Sequence, residues 1–445
     1  MPHGGRAHHG LAAAAGDRRV LQWSDVPRTS DPHPRPPRTT HTPAPPTTDH
    51  PTAPGSPSSP STVPDGPGGR RRPPTADHRR PPSPRPGRRE SPVTHVTTIA
   101  PPSRAALTDR WGRVADDLRI SLIDKCNLRC TYCMPEHGLP WLPSSSLLTT
   151  EEAVRLADIG VRVFGVRDIR FTGGEPLVRR DLEDIVRGVR SLHPDVPVSL
   201  TTNAVGLDRR VAGLVDAGLT RVNVSLDTVR RETFREITRR DRLDAVLRGL
   251  AAARDAGLHP VKVNAVMMRG VNDDQADELL AWCLDEGYQL RFIEQMPLDA
   301  DRSWSRTHLV DAAEIRDRLT RRFHLSPHPV PRGSAPAELS DVRHRDDPDG
   351  PVLGQVGLIA PVTESFCAAC SRTRITADGK VRSCLFSQEE TDPLGLLRSG
   401  ADDAAVAARW QEAMALKPRA YGSDTVIVSD PSYVQPDRTM SAIGG

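Results

Sequence analysis

From residue 118 onward two apolar patterns alternate along the chain. Short runs rich in β-branched and large apolar side chains read as strands: LRISLID (118–124), DIRFTGG (168–174), VSLTTN (198–203), RVNVSLD (221–227), VKVNAVMM (261–268) and QLRFIEQM (289–296). Between them apolar residues recur at helical spacing, over 149–165, 179–193, 209–219, 230–257 and 273–287. Several of these stretches open on a Thr or Asp able to cap a helix and close near a Gly. Such alternation predicts an α/β fold with a parallel sheet and right-handed crossovers. Six units suit a partial (β/α)6 barrel, TIM-like but not closed by eight strands; a doubly wound open sheet is the alternative. Active sites of such barrels gather where strands pass into the following loops.

After Pro297 the pattern changes. One helix is predicted over 311–325, a turn-rich stretch follows, then a strand-like VGLIAPV (356–362) and a helical run over 401–416. The expected division is a barrel over 104–335 and a smaller C-terminal α+β module over 336–445.

Residues 1–103 stand apart. They are dominated by Pro, Arg, His, Ser, Thr and Gly and hold few large apolar side chains. Such a segment cannot bury enough surface to offset its ordering entropy, so a disordered extension is expected. It does not read as a signal peptide: LAAAAG is too short, and Arg18–Arg19 follow it rather than precede it. One reading is a basic tail for nucleic acid or an anionic surface. The other is a passenger segment ahead of a true start near Val93 or Val96, and the prolines favour it because they break any regular basic face. The net charge of +3 gives no global pull toward nucleic acid. No run approaches the roughly 20 apolar residues of a membrane span. Thiols without an export signal point to a reducing cytoplasm.

Six of the seven cysteines fall into two sets. Cys126, Cys130 and Cys133 are spaced C-x3-C-x2-C just after the first strand; Cys367, Cys370 and Cys384 are spaced C-x2-C-x13-C. Three thiolates hold three irons of a [4Fe–4S] cube and leave the fourth iron open to a small molecule. Zinc is the plainer alternative, with His137 available as a fourth ligand to the first set, and C-x2-C is a common zinc half-site. An odd count, tight clustering and no export signal argue against disulfides. Cys283 lies on an apolar helical face and reads as core.

Arg119, Arg170, Lys262 and Arg291 interrupt four different strand runs, and Arg372 and Arg374 lie beside the second cysteine set. A buried cation needs an anion. Any one could pair with an internal carboxylate. Together they fit a lumen that binds a polyanion, held by side chains because no Walker sequence is present. GGEP (Gly173–Pro176) follows the second strand; its glycines allow a close backbone approach.

CNLRCTYC followed by GGEP resembles the radical S-adenosylmethionine (SAM) superfamily, with Tyr132 as the aromatic of its cysteine motif. More narrowly, residues 107–445 resemble the GTP 3′,8-cyclase family of molybdenum-cofactor biosynthesis, through LRISLIDKCNLRCTYCMP, IRFTGGEPLVRRDL, VKVNAVMMRGVND, FCAACSRTRITADGKVRSCLF and the terminal MSAIGG. The resemblance implies two [4Fe–4S] clusters, with SAM chelated at the first and cleaved to a 5′-deoxyadenosyl radical. It implies SAM contacts from Tyr132, Gly174, Ser225 and Met296. It implies GTP contacts from Arg119, Arg170, Thr201, Lys262 and the Arg372–Thr373–Arg374 stretch. The second cluster would present its open iron to the guanine edge, the ribose C3′ hydrogen would be removed, and C3′ would join C8. Gly444 and Gly445 match a tail that enters the active site. The implied partners are a reducing electron donor, cyclic pyranopterin monophosphate synthase as recipient of the product, and a second copy in a homodimer.

Two positions depart from many relatives. Leu128 replaces an aromatic, and Asp168 stands where some relatives carry Lys, free to pair with Arg170. The competing readings are a radical SAM peptide maturase with an auxiliary cluster, and a zinc or cluster module whose basic N-terminal segment contacts nucleic acid.

Overall fold

The structure, a computed structural model, describes residues 105–428, 430 and 432–444. The expected N-terminal extension and Gly445 fall outside the described residues. Six strand–helix units follow in order: β1 (Asp117–Ser121), α1 (Thr150–Arg162), β2 (Asp168–Thr172), α2 (Leu182–Leu192), β3 (Val198–Thr202), α3 (Leu207–Asp216), β4 (Arg221–Ser225), α4 (Arg231–Thr238), α5 (Leu243–Asp255), β5 (Lys262–Met267), α6 (Ala276–Asp285) and β6 (Gln289–Glu294). Neighbouring strands β1 to β6 pair in parallel, one beside the next. Each strand run foreseen from the sequence is a strand here, and the partial barrel stands over the doubly wound sheet. The long 230–257 stretch is two helices, because Arg239 adopts a left-handed backbone (φ 53°) that ends α4.

The rest of the chain extends both sides of this sheet. After α7 (Ala312–Thr320) come β7 (Phe323–Pro327), β8 (Glu338–His344) and β9 (Gly354–Ile359), then β10 (Arg372–Ile375), β11 (Val381–Arg382), α8 (Pro393–Arg398), α9 (Asp403–Ala415) and the short α10 (Met440–Ile443). β9 pairs in parallel with β6, and β10 in parallel with β1. The helix expected over 311–325 stops at Thr320. Phe323 and Leu325 then alternate with polar residues and pair antiparallel with β8.

The two faces of the parallel strands differ sharply. One carries Leu118, Ile120, Ile169, Phe171, Val263 and Phe292, each fully buried against the helical layer. The helices are cut to fit: α1 opens on a reciprocal capping box between Thr149 and Glu152, and its Leu156 and Ile159 are fully buried. The other face carries Arg119, Arg170, Thr201, Asn223, Lys262, Asn264 and Arg291, which alternate with the apolar positions along their strands. Parallel strands covered on both faces normally read as continuous apolar runs. A polar second face therefore marks an interior built around something other than side-chain packing.

α9 locks β10 in place. Trp410 is fully buried, packs edge-on against Phe164 at 5.6 Å, and donates from Nε1 to Thr373 Oγ1 at 2.9 Å.

Candidate active site

The polar face encloses a cavity of about 300 Å³, and both cysteine sets open into it: Cys126, Cys130 and Cys133 from one side, Cys367, Cys370 and Cys384 from the other. Between them the wall carries Arg119, Arg170, Arg291, Arg372 and Arg374.

The first set sits on the loop that follows β1. That loop is tied to the C-terminal end of α4, where Arg129 N and Thr131 N donate to the carbonyls of Thr238 and Ile237 at 3.0 and 2.9 Å. Its other side is closed by the glycines after β2. A Cβ on Gly174 would lie 2.3 Å from the Asp124 carbonyl oxygen, and one on Gly173 would lie 2.4 Å from that of Ile123. The glycines thus admit the cysteine loop's own backbone. Glu175 is buried and accepts from Leu177 N (3.0 Å), Thr202 Oγ1 (2.6 Å) and Asn203 N (2.6 Å), which fixes the turn; burial still pushes its carboxyl up to about 7.

Burial raises all three thiols of this set, Cys126 to about 11 and Cys133 to about 12, so without metal they are protonated. Leu128 N and Asn203 Nδ2 point at Cys126 Sγ, at 3.4 and 3.7 Å. Such groups fit three thiolates on a multinuclear cluster, where bound iron supplies the charge that releases the protons. Tyr132, Gly174, Ser225 and Met296 all line the same cavity. The Tyr132 hydroxyl donates to Asp227 Oδ2 at 3.0 Å, and Val266 N donates to Oδ1 at 2.8 Å; burial lifts the Asp227 carboxyl to about 6.

The second set is electrostatically different. Burial works to raise Cys370, but the Arg372 guanidinium and the Lys417 ammonium hold it down to about 6. Burial raises Cys384. Arg372 stacks on Phe366 with its guanidinium 4.9 Å from the ring centre.

Register makes the cations a row. Arg119 stands opposite Arg374 on one side and Arg170 on the other. Burial and mutual repulsion lower Arg374 well below the usual arginine range and bring Arg170 and Arg291 to about 10. Asp117 is the carboxylate within this row: burial would raise it, yet Arg119, Arg170, Arg372 and Arg374 hold it low. Asp168 pairs with Arg221 rather than Arg170. Arg119 Nε, Arg291 Nε and Asn264 Oδ1 are buried without a hydrogen-bond partner among the described residues. An interior with several cations and unfilled donors fits an anionic, hydrogen-bonding ligand.

Two of the expected contact residues stand apart from the cavity wall. Thr373 alternates outward between Arg372 and Arg374, and its hydroxyl is taken by Trp410, so its side chain does not face the lumen. Lys262 opens β5 on the lumenal side but lies outside the cavity wall; burial, with Arg291, Arg221 and Arg170 adding, brings it down to about 7. Thr201 lines the cavity as expected. The tail also reaches the site: Met440 and Ser441 line it, and Arg374 Nη1 donates to the Gly444 carbonyl at 2.8 Å. Asn203, Asp227, Asn264 and Asp117 were not singled out from sequence, although strand alternation from Arg119 leads to Asp117 and from Lys262 to Asn264.

The chain is similar in sequence to proteins of known family. Residues 120–283 match the Radical SAM superfamily and residues 288–423 match Molybdenum Cofactor Synthesis C. A GTP 3′,8-cyclase of Paenarthrobacter nicotinovorans is 59% identical over 343 residues, covering 76% of this chain and 97% of that protein. The GTP 3′,8-cyclase of Mycolicibacterium smegmatis is 55% identical over 346 residues, 77% of this chain and 93% of that protein. Among solved structures, Streptococcus suis SuiB bound to S-adenosylmethionine aligns with a TM-score of 0.46 at 15% identity, over 66% of this chain and 68% of that one.

Proposed function

Because this chain belongs to the GTP 3′,8-cyclase family of radical SAM enzymes, we propose a division of roles among the residues of its lumen. The enzyme converts GTP to (8S)-3′,8-cyclo-7,8-dihydroguanosine 5′-triphosphate, the first step of molybdenum-cofactor biosynthesis, and carries two [4Fe–4S] clusters and SAM. When bound, the first cluster and SAM supply a 5′-deoxyadenosyl radical that takes the ribose C3′ hydrogen before C3′ joins C8.

Cys126, Cys130 and Cys133 hold the first cluster, and Cys367, Cys370 and Cys384 the second. Tyr132, Gly174, Ser225 and Met296 shape the SAM pocket, with Asp227 orienting the Tyr132 ring through its hydroxyl. Arg119, Arg170 and Thr201 receive the triphosphate and ribose, Lys262 adds charge from below, and Arg372 and Arg374 stand beside the purine end. A ligand sunk in this lumen is shielded from bulk water, which protects a reactive radical and strengthens each charge contact. The observation that carries this reading is the placement of both three-cysteine sets in one cavity, with a guanidinium row between them.

Single substitutions separate the two sites. Cys130→Ala is expected to abolish SAM cleavage. Cys384→Ala is expected to leave SAM cleavage but lose the cyclised nucleotide. Product at the parental rate from Cys384→Ala would remove the second set from the reaction.

We also propose that residues 104–335 act as the barrel and 336–445 as the second-cluster module, although β9 and β10 of the latter extend the barrel sheet. A cytoplasmic homodimer, a low-potential electron donor and delivery of product to cyclic pyranopterin monophosphate synthase complete the proposal. Among the described residues no helix is long and apolar enough to cross a membrane.

A further inference from the structure

Two cations outside the cavity wall, Lys417 buried and Arg113 partly buried, grip the backbone of the second cysteine set. Lys417 is 2% exposed, and its Nζ donates to the carbonyls of Arg372 at 2.7 Å and Cys370 at 3.5 Å. Arg113 donates from Nη1 to the Cys367 carbonyl at 2.8 Å and to Arg419 O at 2.9 Å, and from Nη2 to Pro418 O at 2.7 Å. Both ligands of the C-x2-C pair are therefore held at their carbonyls by a cation.

The two grips are joined. Asp109 is buried and accepts from Trp111 N (2.9 Å), Arg113 N (3.0 Å) and Arg113 Nε (2.6 Å), which fixes the guanidinium. Arg110 Nε and Trp111 Nε1 donate to the Lys417 carbonyl at 3.3 and 3.1 Å. A turn that precedes the barrel, over residues 108–114, thus meets the segment after α9 directly behind the cysteines.

The charges around the two cations differ. Arg113 has the Asp109 carboxylate. Lys417 makes both of its hydrogen bonds to neutral carbonyls and has no carboxylate partner among the described residues. A buried ammonium left like this is unfavourable unless an anion lies close by. The thiolates of Cys367, Cys370 and Cys384 with their cluster are that anion.

Given that the second set holds a cluster, we propose that Lys417 and the Asp109–Arg113 pair form its outer shell: both cations pre-set the C-x2-C backbone, and Lys417 supplies the positive charge that eases reduction and slows loss of iron. They are positioning residues. Outer-shell partners of metal ligands typically change affinity by roughly 10–100-fold when removed, and charge near a cluster moves its potential.

The test uses the full chain with Cys126, Cys130 and Cys133 each changed to Ala, so that only the second site holds iron. Chelator-driven iron loss and an electron-paramagnetic-resonance redox titration are read under anaerobic conditions. Lys417→Met and Arg113→Met are expected to speed iron loss roughly tenfold or more. Lys417→Met should also move the potential to more negative values, and Lys417→Arg should restore both readings. If Lys417→Met does not fold, Lys417→Gln, a polar side chain that also lacks the charge, takes its place. A parental iron-loss rate and potential in the Met or Gln variant would overturn the proposal, as would failure of Lys417→Arg to restore them. A parental chain that holds no iron at the second site would instead refute the cluster assignment, and the outer shell with it.

Discussion

Arg170→Met separates what the lumen costs the ligand-free protein from what it gives the bound one. Arg170 is held in β2 beside Arg119, with the Ser199 hydroxyl at 3.2 Å as its side-chain hydrogen-bond acceptor among the described residues. Burial and Arg119 bring its guanidinium down to about 10. Relative to the usual arginine value, that drop corresponds to about 3 kcal/mol of disfavoured charge. The folded value lies below the unfolded one, so the penalty is fully present at neutral pH and fades only as pH rises through the arginine range. A methionine is shorter than the arginine, but it removes the charge and keeps an apolar stem in place. Part of the gain is lost because Asp117 and Asp168 lose a positive neighbour, leaving a net stabilisation of about 1–2 kcal/mol. Ligand-free Arg170→Met is therefore expected to melt a few degrees above the parent in differential scanning fluorimetry. The same change should weaken GTP binding by roughly 10–100-fold, the worth of a hydrogen bond from a charged group. A variant that melts below the parent and still binds GTP normally would refute the reading of this row as an unfilled polyanion site.

Gly174→Ala would set a Cβ 2.3 and 2.5 Å from the carbonyl oxygens of Asp124 and Lys125, so the first cysteine loop must move. A displacement of that size is expected to cut SAM cleavage by about 100-fold; iron content and cleavage at parental levels would contradict it. Lys262 stands near 7 in the ligand-free protein, so a bound polyanion should draw a proton onto it. GTP affinity should then weaken as pH rises from about 6 to about 8.5, and Lys262→Met should flatten that slope measured by calorimetry. Superimposable pH profiles for parent and variant would remove Lys262 from the GTP site.

The barrel was legible because its strands carry two codes at once. Leu118, Ile120, Ile169 and Phe171 gave the apolar face, and Arg119 and Arg170 between them betrayed a charged interior. The cysteine spacings gave both ends of the cavity. Thr373 came in with its motif, although the period of two in a strand turns its side chain opposite to those of Arg372 and Arg374. The partners Asp117 and Asp227 were hidden because their meaning comes from register and from the distant Tyr132, not from local pattern. The β7–β8 hairpin was missed because Phe323 and Leu325 also fit the end of a helical run. The 108–114 turn carries no motif of its own; its role lies in contacts with residues 367, 418 and 419, far along the chain.

The most direct test is anaerobic incubation of the reduced protein with SAM and GTP deuterated at the ribose C3′, followed by mass analysis of the 5′-deoxyadenosine and the nucleotide. Deuterium in the 5′-deoxyadenosine, together with a cyclised isomer of GTP, is the predicted result. Unlabelled 5′-deoxyadenosine with GTP left intact would contradict a lumen built to hold the nucleotide between two clusters.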